Sequence, residues 1–248
     1  MSFINVNFMS HVLGMGCAAN VILPQSPPEN ILKKPFKTLY LLHGLSDDHT
    51  AWARYTSIER YAAEYGITVV MPCVHRSFYS DSKYGRYFEF VSEELISIME
   101  EMFPLSNKRE DRYAAGLSMG GYGAMKLGLR CPEKFSAAAS LSGALDIVGR
   151  VSAEPYLRGE FAYLLDDADG QRDKNDLFVL AENLSKSSRP KPRLYVWCGT
   201  EDFLYEDNVK FKNYIEKMDF EFKYEESKGD HSWGYWDLKI QTVLKFIL

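Results

Sequence analysis

Gly116-Leu117-Ser118-Met119-Gly120 has the form G-x-S-x-G, set directly after the strand-like run Tyr113-Ala114-Ala115 and directly before a helix-like stretch. Glycines two before and two after the serine let a strand turn sharply into a helix, and such a turn holds the serine strained with its hydroxyl exposed. The chemistry this points to is nucleophilic attack by Ser118; a mere turn of small residues is the competing reading, and the flanks weigh against it. A serine hydroxyl attacks only when a base takes its proton, and on an elbow of this type the partners follow in the order Ser, Asp or Glu, His. His11, His43, His49 and His75 all precede Ser118, which leaves His231 as the base. It sits between Lys228-Gly229-Asp230 and Ser232-Trp233-Gly234, a loop ahead of a final helix.

The carboxylate that orients His231 belongs on a loop just past a buried strand, at the same end of the sheet. Asp202 fits: it follows Leu194-Tyr195-Val196-Trp197-Cys198, a run expected of a parallel strand buried on both faces, and then Gly199-Thr200-Glu201. Glu201 is the adjacent rival. Asp146, behind Leu141-Ser142-Gly143-Ala144-Leu145, reads instead as a helix cap or turn former. A tetrahedral oxyanion needs two backbone N–H groups, and Met119, directly after the nucleophile, supplies the first. The turn His43-Gly44-Leu45, after the strand Thr38–Leu42, aims the Leu45 N–H as the second, which makes His43 a turn residue rather than a second base.

The elements that must position these groups alternate along the chain. Strands are expected at 12–23, 38–42, 67–71, 135–141, 194–198 and 220–224, and the first eight residues alternate as a half-buried strand would. Helices are expected at 52–65, 88–103, 122–130, 205–218 and 233–246, with Pro104 stopping the second. Such alternation predicts a mainly parallel central sheet with helices on both faces. The stretch 148–189 interrupts it with Tyr156, Phe161, Tyr163, Leu164 and Leu165, then Asp166, Asp167, Asp169, Asp173 and Asp176. It reads either as a lid lining an acyl pocket or as a helical excursion packed on the core. The D-x-D-x-D-G calcium register fails because Leu165 occupies its first position, so no metal is expected.

A 248-residue chain that is 46% hydrophobic can bury one large core. Its net charge of −5 argues against a nucleic-acid partner, and Lys33, Lys34 and Lys37 read as a solvated loop. The amino terminus lacks a basic start with an apolar core, and no stretch has the ~20 apolar residues a membrane span requires. Cys17, Cys73, Cys131 and Cys198 show no C-x-x-C pair; they are expected to be reduced thiols of a cytoplasmic protein.

Six separated blocks, in order, resemble the esterase D-like branch of the α/β-hydrolases, and most closely the tributyrin esterases. They are His43-Gly44-Leu45-Ser46-Asp47-Asp48 with Trp52; Met71-Pro72 with Arg76-Ser77-Phe78-Tyr79-Ser80-Asp81; Gly116 to Gly121; Ser142 to Asp146; Gly199 to Asp202; and His231-Ser232-Trp233. The resemblance implies one α/β-hydrolase domain over 1–248, with a cap or lid insertion at about 148–189. It puts Ser118, Asp202 and His231 at the triad positions, Leu45 and Met119 at the oxyanion hole, and Trp52, Tyr79 and Trp233 against the substrate. Cys73-Val74-His75 departs from relatives that carry small or glycine-rich residues there. The implied activity is a serine carboxylesterase without cofactor, acting on small-molecule short-chain esters, as a monomer or a homo-oligomer. S-formylglutathione hydrolase and carbohydrate acetyl or feruloyl esterase are the alternatives within the family, and a non-catalytic binding module is the alternative outside it.

Overall fold

Along β3 (Thr38–Leu42), Leu39 and Leu41 enter one apolar layer while Tyr40 and Leu42 enter the other. This is the period of two that an extended chain imposes. The computed structural model describes residues 1–25, 34–166 and 170–248; Lys33, Asp167 and Asp169 lie outside the described residues. Its main sheet has eight strands in the order β1 (Ser2–Ser10), β2 (Met15–Leu23), β4 (Thr68–Pro72), β3, β7 (Arg112–Leu117), β8 (Ala137–Leu141), β9 (Arg193–Gly199) and β10 (Phe222–Ser227). β1 and β2 run antiparallel to each other and β2 antiparallel to β4, while the remaining pairs are parallel. The two-residue strands β5 (Asp81–Ser82) and β6 (Gly85–Arg86) form a separate hairpin.

Helices α1 (Ala51–Tyr55), α2 (Ile58–Tyr65) and α11 (Trp233–Ile247) cover the face of Leu39, Tyr113, Ala139 and Trp197. The other face is covered by α4 (Leu95–Met102), α5 (Met119–Arg130), α9 (Leu177–Ser185) and α10 (Tyr205–Ile215). The expected α/β architecture, a mainly parallel sheet between two helical layers, is present. Among the described residues no helix is long and apolar enough to cross a membrane.

Three boundaries differ from expectation, each for a local reason. The second strand starts at Met15 rather than Val12, because residues 11–14 form the hairpin turn, with Gly14 at φ 67°. The helix expected over 52–65 breaks between Tyr55 and Ile58, where Ser57 N–H donates to Asp237 Oδ1 of α11 at 2.9 Å in place of a helical carbonyl. The helix expected over 88–103 opens with α3 (Tyr87–Glu89) and passes through one wide π turn at Phe90–Glu94 before α4.

Between β8 and β9 lie α6 (Ile147–Ala153), α7 (Pro155–Phe161), α8 (Gln171–Asn175) and α9. Phe161 and Leu164 pack into the core, Tyr163 and Leu165 are half-buried, and Tyr156 is exposed. Asp176 caps α9 by accepting from Phe178 N–H at 2.9 Å. Among the described residues no group of three His, Cys, Asp or Glu side chains is arranged to hold a metal ion. A buried Lys126 ties this segment to α5: its Nζ donates to Asn175 Oδ1 (2.7 Å), Ser80 Oγ (2.7 Å) and Tyr79 O (3.1 Å), and it lies near the faces of Phe88 and Tyr122. Burial pushes its pKa well down, yet three acceptors match the three hydrogens of an ammonium, and a neutral amine would leave one acceptor unpaired. Lys126→Met keeps the stem but orphans those acceptors, so unfolding in urea should show a loss of about 3 kcal/mol. A variant as stable as the wild type would mean that Lys126 does not anchor the segment.

Candidate active site

The G-x-S-x-G glycines are explained by what surrounds them. A Cβ on Gly116 would strike the Gly120 carbonyl and come within 2.9 Å of Leu42 Cβ; one on Gly120 would strike the Leu42 carbonyl and come within 2.7 Å of His43 O. α5 therefore starts hard against the end of β3. Ser118, between the end of β7 and the start of α5, has φ 52° and ψ −117°, a conformation that non-glycine residues adopt only under constraint. The constraint is visible: Ser118 N–H donates to Leu141 O (3.0 Å), and Ser118 O accepts from the N–H groups of Tyr122 (3.1 Å) and Ala144 (3.1 Å).

Parallel pairing brings the ends of β3, β7, β8 and β9 to one edge of the sheet, since Leu42 is opposite Gly116, Leu117 opposite Leu141, and Leu141 opposite Trp197. The loop behind β9 delivers Asp202, and the loop ahead of α11 delivers His231. Both Asp202 oxygens accept from His231 Nδ1, at 3.0 and 2.9 Å, and Oδ1 also accepts from Leu204 N–H at 2.8 Å. The Asp202 side chain is fully buried while the imidazole is partly open. Burial alone would raise the carboxyl pKa; hydrogen bonds from His231, Leu204 N–H and the Ser142 hydroxyl hold it below the ordinary value. An ionised Asp202 makes Nδ1 the donor, which leaves a lone pair on Nε2. Among the described residues neither Ser118 Oγ nor His231 Nε2 makes a hydrogen bond. Such bonds commonly tighten only once substrate is present.

Met119 is the first residue of α5, so its N–H has no helical acceptor. Neither it nor the Leu45 N–H has a backbone acceptor among the described residues. Gly44 holds the Leu45 loop against the elbow, a Cβ there lying 3.6 Å from Ser118 Cβ. His43 is a buried turn residue, as expected: its Nδ1 donates to Gly44 O (2.8 Å) and its Nε2 accepts from Val74 N–H (3.1 Å). That acceptor role requires a neutral ring, and burial lowers its pKa to about 4.

Because the folded pKa of His43 lies below its unfolded value, the unfolded chain takes up the proton first as pH falls. His43 therefore contributes stability fully above about 6.5, lost progressively towards pH 4, by roughly 3 kcal/mol in total. Urea unfolding between pH 7 and 4.5 should show this slope, and His43→Gln should flatten it. An unchanged slope in the variant would assign the acid sensitivity to other groups.

The other candidates separate. Glu201 is exposed, 3.9 Å from Lys228 Nζ, and Asp146 precedes α6 and pairs with Lys210 instead of capping. Trp52 and Tyr79 are corrected: both are buried, with Trp52 Nε1 donating to Leu42 O (3.0 Å) and Tyr79 OH to His43 O (2.9 Å). They support residues 42–43, which lead into the Leu45 loop, and so buried they leave no surface for a substrate. Trp233 is half-buried, packed edge-on to Trp52 and Trp236 and tilted over Tyr55.

Three neighbours escaped the sequence reading. Phe203 is 66% exposed and its ring lies 4.5 Å from that of His231. Trp236 meets the imidazole edge-on at 4.9 Å and donates Nε1 to Ser142 Oγ at 3.1 Å. Ser142, at φ 48°, is fully buried between the elbow loop and the acid loop. The usable sequence signals are the adjacency of Phe203 to Asp202 and the place of Ser142 at the head of one of the six blocks; Trp236 leaves none. Beside the Leu45 loop, Arg76 donates to Ser46 Oγ (2.6 Å) and pairs with Glu160 of α7, at the edge of a cleft of about 420 Å³ also bordered by Tyr84, Phe161 and Tyr163.

Comparison with known proteins yields a family model described as "Putative esterase", matched over residues 10–247. An acetyl esterase of Caldicellulosiruptor saccharolyticus is 31% identical over 265 residues, covering 100% of this chain and 98% of that protein. Among solved structures, fluorophosphonate-binding serine hydrolase F of Staphylococcus aureus, substrate bound, superposes with TM-score 0.87 at 34% identity, covering 99% of this chain and 98% of the other. An S-formylglutathione hydrolase of the same organism gives TM-score 0.87 at 35% identity with the same coverage.

Proposed function

From the premise that this chain belongs to the esterase family, and is a carboxylic ester hydrolase of the α/β-hydrolase type, we propose that it hydrolyses short-chain acyl esters through Ser118, His231 and Asp202. His231 Nε2 takes the Ser118 proton, Oγ attacks the ester carbonyl, and the Leu45 and Met119 N–H groups receive the oxyanion. The protonated imidazole, held by an ionised Asp202, then gives its proton to the leaving alcohol. Water activated by the same nitrogen attacks the acyl-enzyme, and the carboxylic acid leaves as Ser118 recovers its proton.

The observation that carries this reading is the Asp202 to His231 contact at 2.9 Å, on the sheet edge that also holds the strained Ser118 and two amides without backbone acceptors. The full-length similarity to an acetyl esterase supports the short acyl group. A second reading, hydrolysis of a glutathione thioester, is favoured by the 35% identical S-formylglutathione hydrolase. The four free thiols Cys17, Cys73, Cys131 and Cys198 support a cytoplasmic setting.

Rates on p-nitrophenyl acetate, butyrate and octanoate, methyl ferulate and S-formylglutathione separate the readings. We expect kcat/KM to be highest for acetate or butyrate and to fall at octanoate. Dominance of S-formylglutathione would replace the short-ester reading with the second one. Silence on every substrate, with no fluorophosphonate labelling of the folded protein, would favour a binding module.

A further inference from the structure

β1 and β10 form the two margins of the eight-stranded sheet, and they are built differently. β10 carries Lys223, Glu225 and Glu226 within six residues, the kind of charge that keeps a bare edge from pairing with another chain. β1, Ser2-Phe3-Ile4-Asn5-Val6-Asn7-Phe8-Met9-Ser10, has no charged residue and no proline. All nine residues pair with β2, from Ser2 opposite Leu23 to Ser10 opposite Met15, without a bulge. Its solvent face is apolar at both ends, with Phe3 48% and Met9 54% exposed and Asn5 and Asn7 between them. Clefts of about 860 and 800 Å³ lie alongside, the first bordered by Phe3 and Asn5, the second by Asn7 and Met9.

We infer that β1 is the surface through which two copies of this chain associate, edge to edge and antiparallel, about a two-fold axis at Val6. The strand is its own complement in that register. Phe3 falls opposite the partner's Met9, Ile4 opposite the partner's Phe8, Asn5 opposite the partner's Asn7, and Val6 opposite the partner's Val6. Directly opposed residues share a face of the sheet. The exposed apolar side chains therefore cover one another on the solvent side, while Ile4 and Phe8, which already pack against the core, extend it across the axis. A slip of two residues in either direction would leave Phe3 or Met9 without an apolar partner. Each copy presents the same patch, as a closed two-fold contact requires, and neither strand brings a charge that would have to be desolvated.

Sedimentation velocity across a concentration series, on the full chain, tests this. The wild type should sediment as a dimer. Phe3→Lys with Met9→Lys opposes like charges twice across the axis and should give monomers with an unchanged circular dichroism spectrum and unchanged activity per chain. Phe3→Lys with Met9→Glu opposes unlike charges twice and should restore the dimer at low salt, weakening as salt is added. A wild type that stays monomeric at every concentration overturns the proposal, and leaves a strand from some other protein as the occupant of this edge. A doubly lysine-substituted variant as dimeric as the wild type moves the contact to another surface. A lysine and glutamate pair that fails to restore the dimer sinks the register.

Discussion

Ser118→Ala is expected to lower kcat by about 10⁶-fold, because it removes the oxygen that the proposed mechanism uses to form the acyl bond. The substitution is otherwise close to silent. An alanine keeps the Cβ, and what holds residue 118 at φ 52° is its backbone, through Leu141 O and the N–H groups of Tyr122 and Ala144, together with the close approach of Gly116 and Gly120 to the end of β3. Thermal unfolding should therefore match the wild type, fluorophosphonate labelling should vanish, and a residual acceleration from the oxyanion amides should remain. His231→Ala should cost about as much as Ser118→Ala, and the double variant little more than either, since a nucleophile and its base act as one unit. Losses that multiply in the double variant, or a Ser118→Ala enzyme that keeps a tenth of its activity, would show that ester cleavage runs through other residues.

What the chain disclosed in advance, and what it withheld, follows from the kind of constraint at each position. The elbow was legible because backbone collisions dictate glycine at 116 and 120, and a dictated residue leaves a pattern. Asp202 could be narrowed down because β9 is buried on both faces, so its apolar run ends sharply at Cys198; that left two adjacent acids beyond the turn, Glu201 and Asp202, and only the contact with His231 separates them. Aromatic rings carry no such mark. Trp52 and Tyr79 lie in blocks that resemble esterases, yet each donates to a backbone carbonyl just ahead of the Leu45 loop, and a ring that supports a loop looks in sequence like one that lines a pocket. The break in the helix expected over 52–65 was beyond reach for another reason. It depends on Asp237, 180 residues away, and no local periodicity reports that partner. The meeting of Ser142 and Trp236 is hidden in the same way, for it joins the end of β8 to the first turn of α11.

Asp202→Asn should lower kcat by about 10⁴-fold while changing KM little. The argument is one of hydrogen-bond polarity at nearly constant shape. Asp202 Oδ1 accepts from Leu204 N–H at 2.8 Å, and the carboxylate accepts from His231 Nδ1. An asparagine keeps its carbonyl oxygen on Leu204 N–H and so turns its NH₂ towards the imidazole. Nδ1 must then accept, the ring proton moves to Nε2, and the lone pair needed to deprotonate Ser118 is gone. The loss is about 5.5 kcal/mol of transition-state stabilisation, with the substrate surface untouched. Glu201→Gln and Asp146→Asn are the controls, since the first carboxylate is exposed and the second is paired with Lys210 rather than with His231; each should keep kcat within about twofold of wild type. If Asp202→Asn falls less than tenfold while either control collapses, the orienting carboxylate is that other residue, and the contact between Asp202 and His231 is structural.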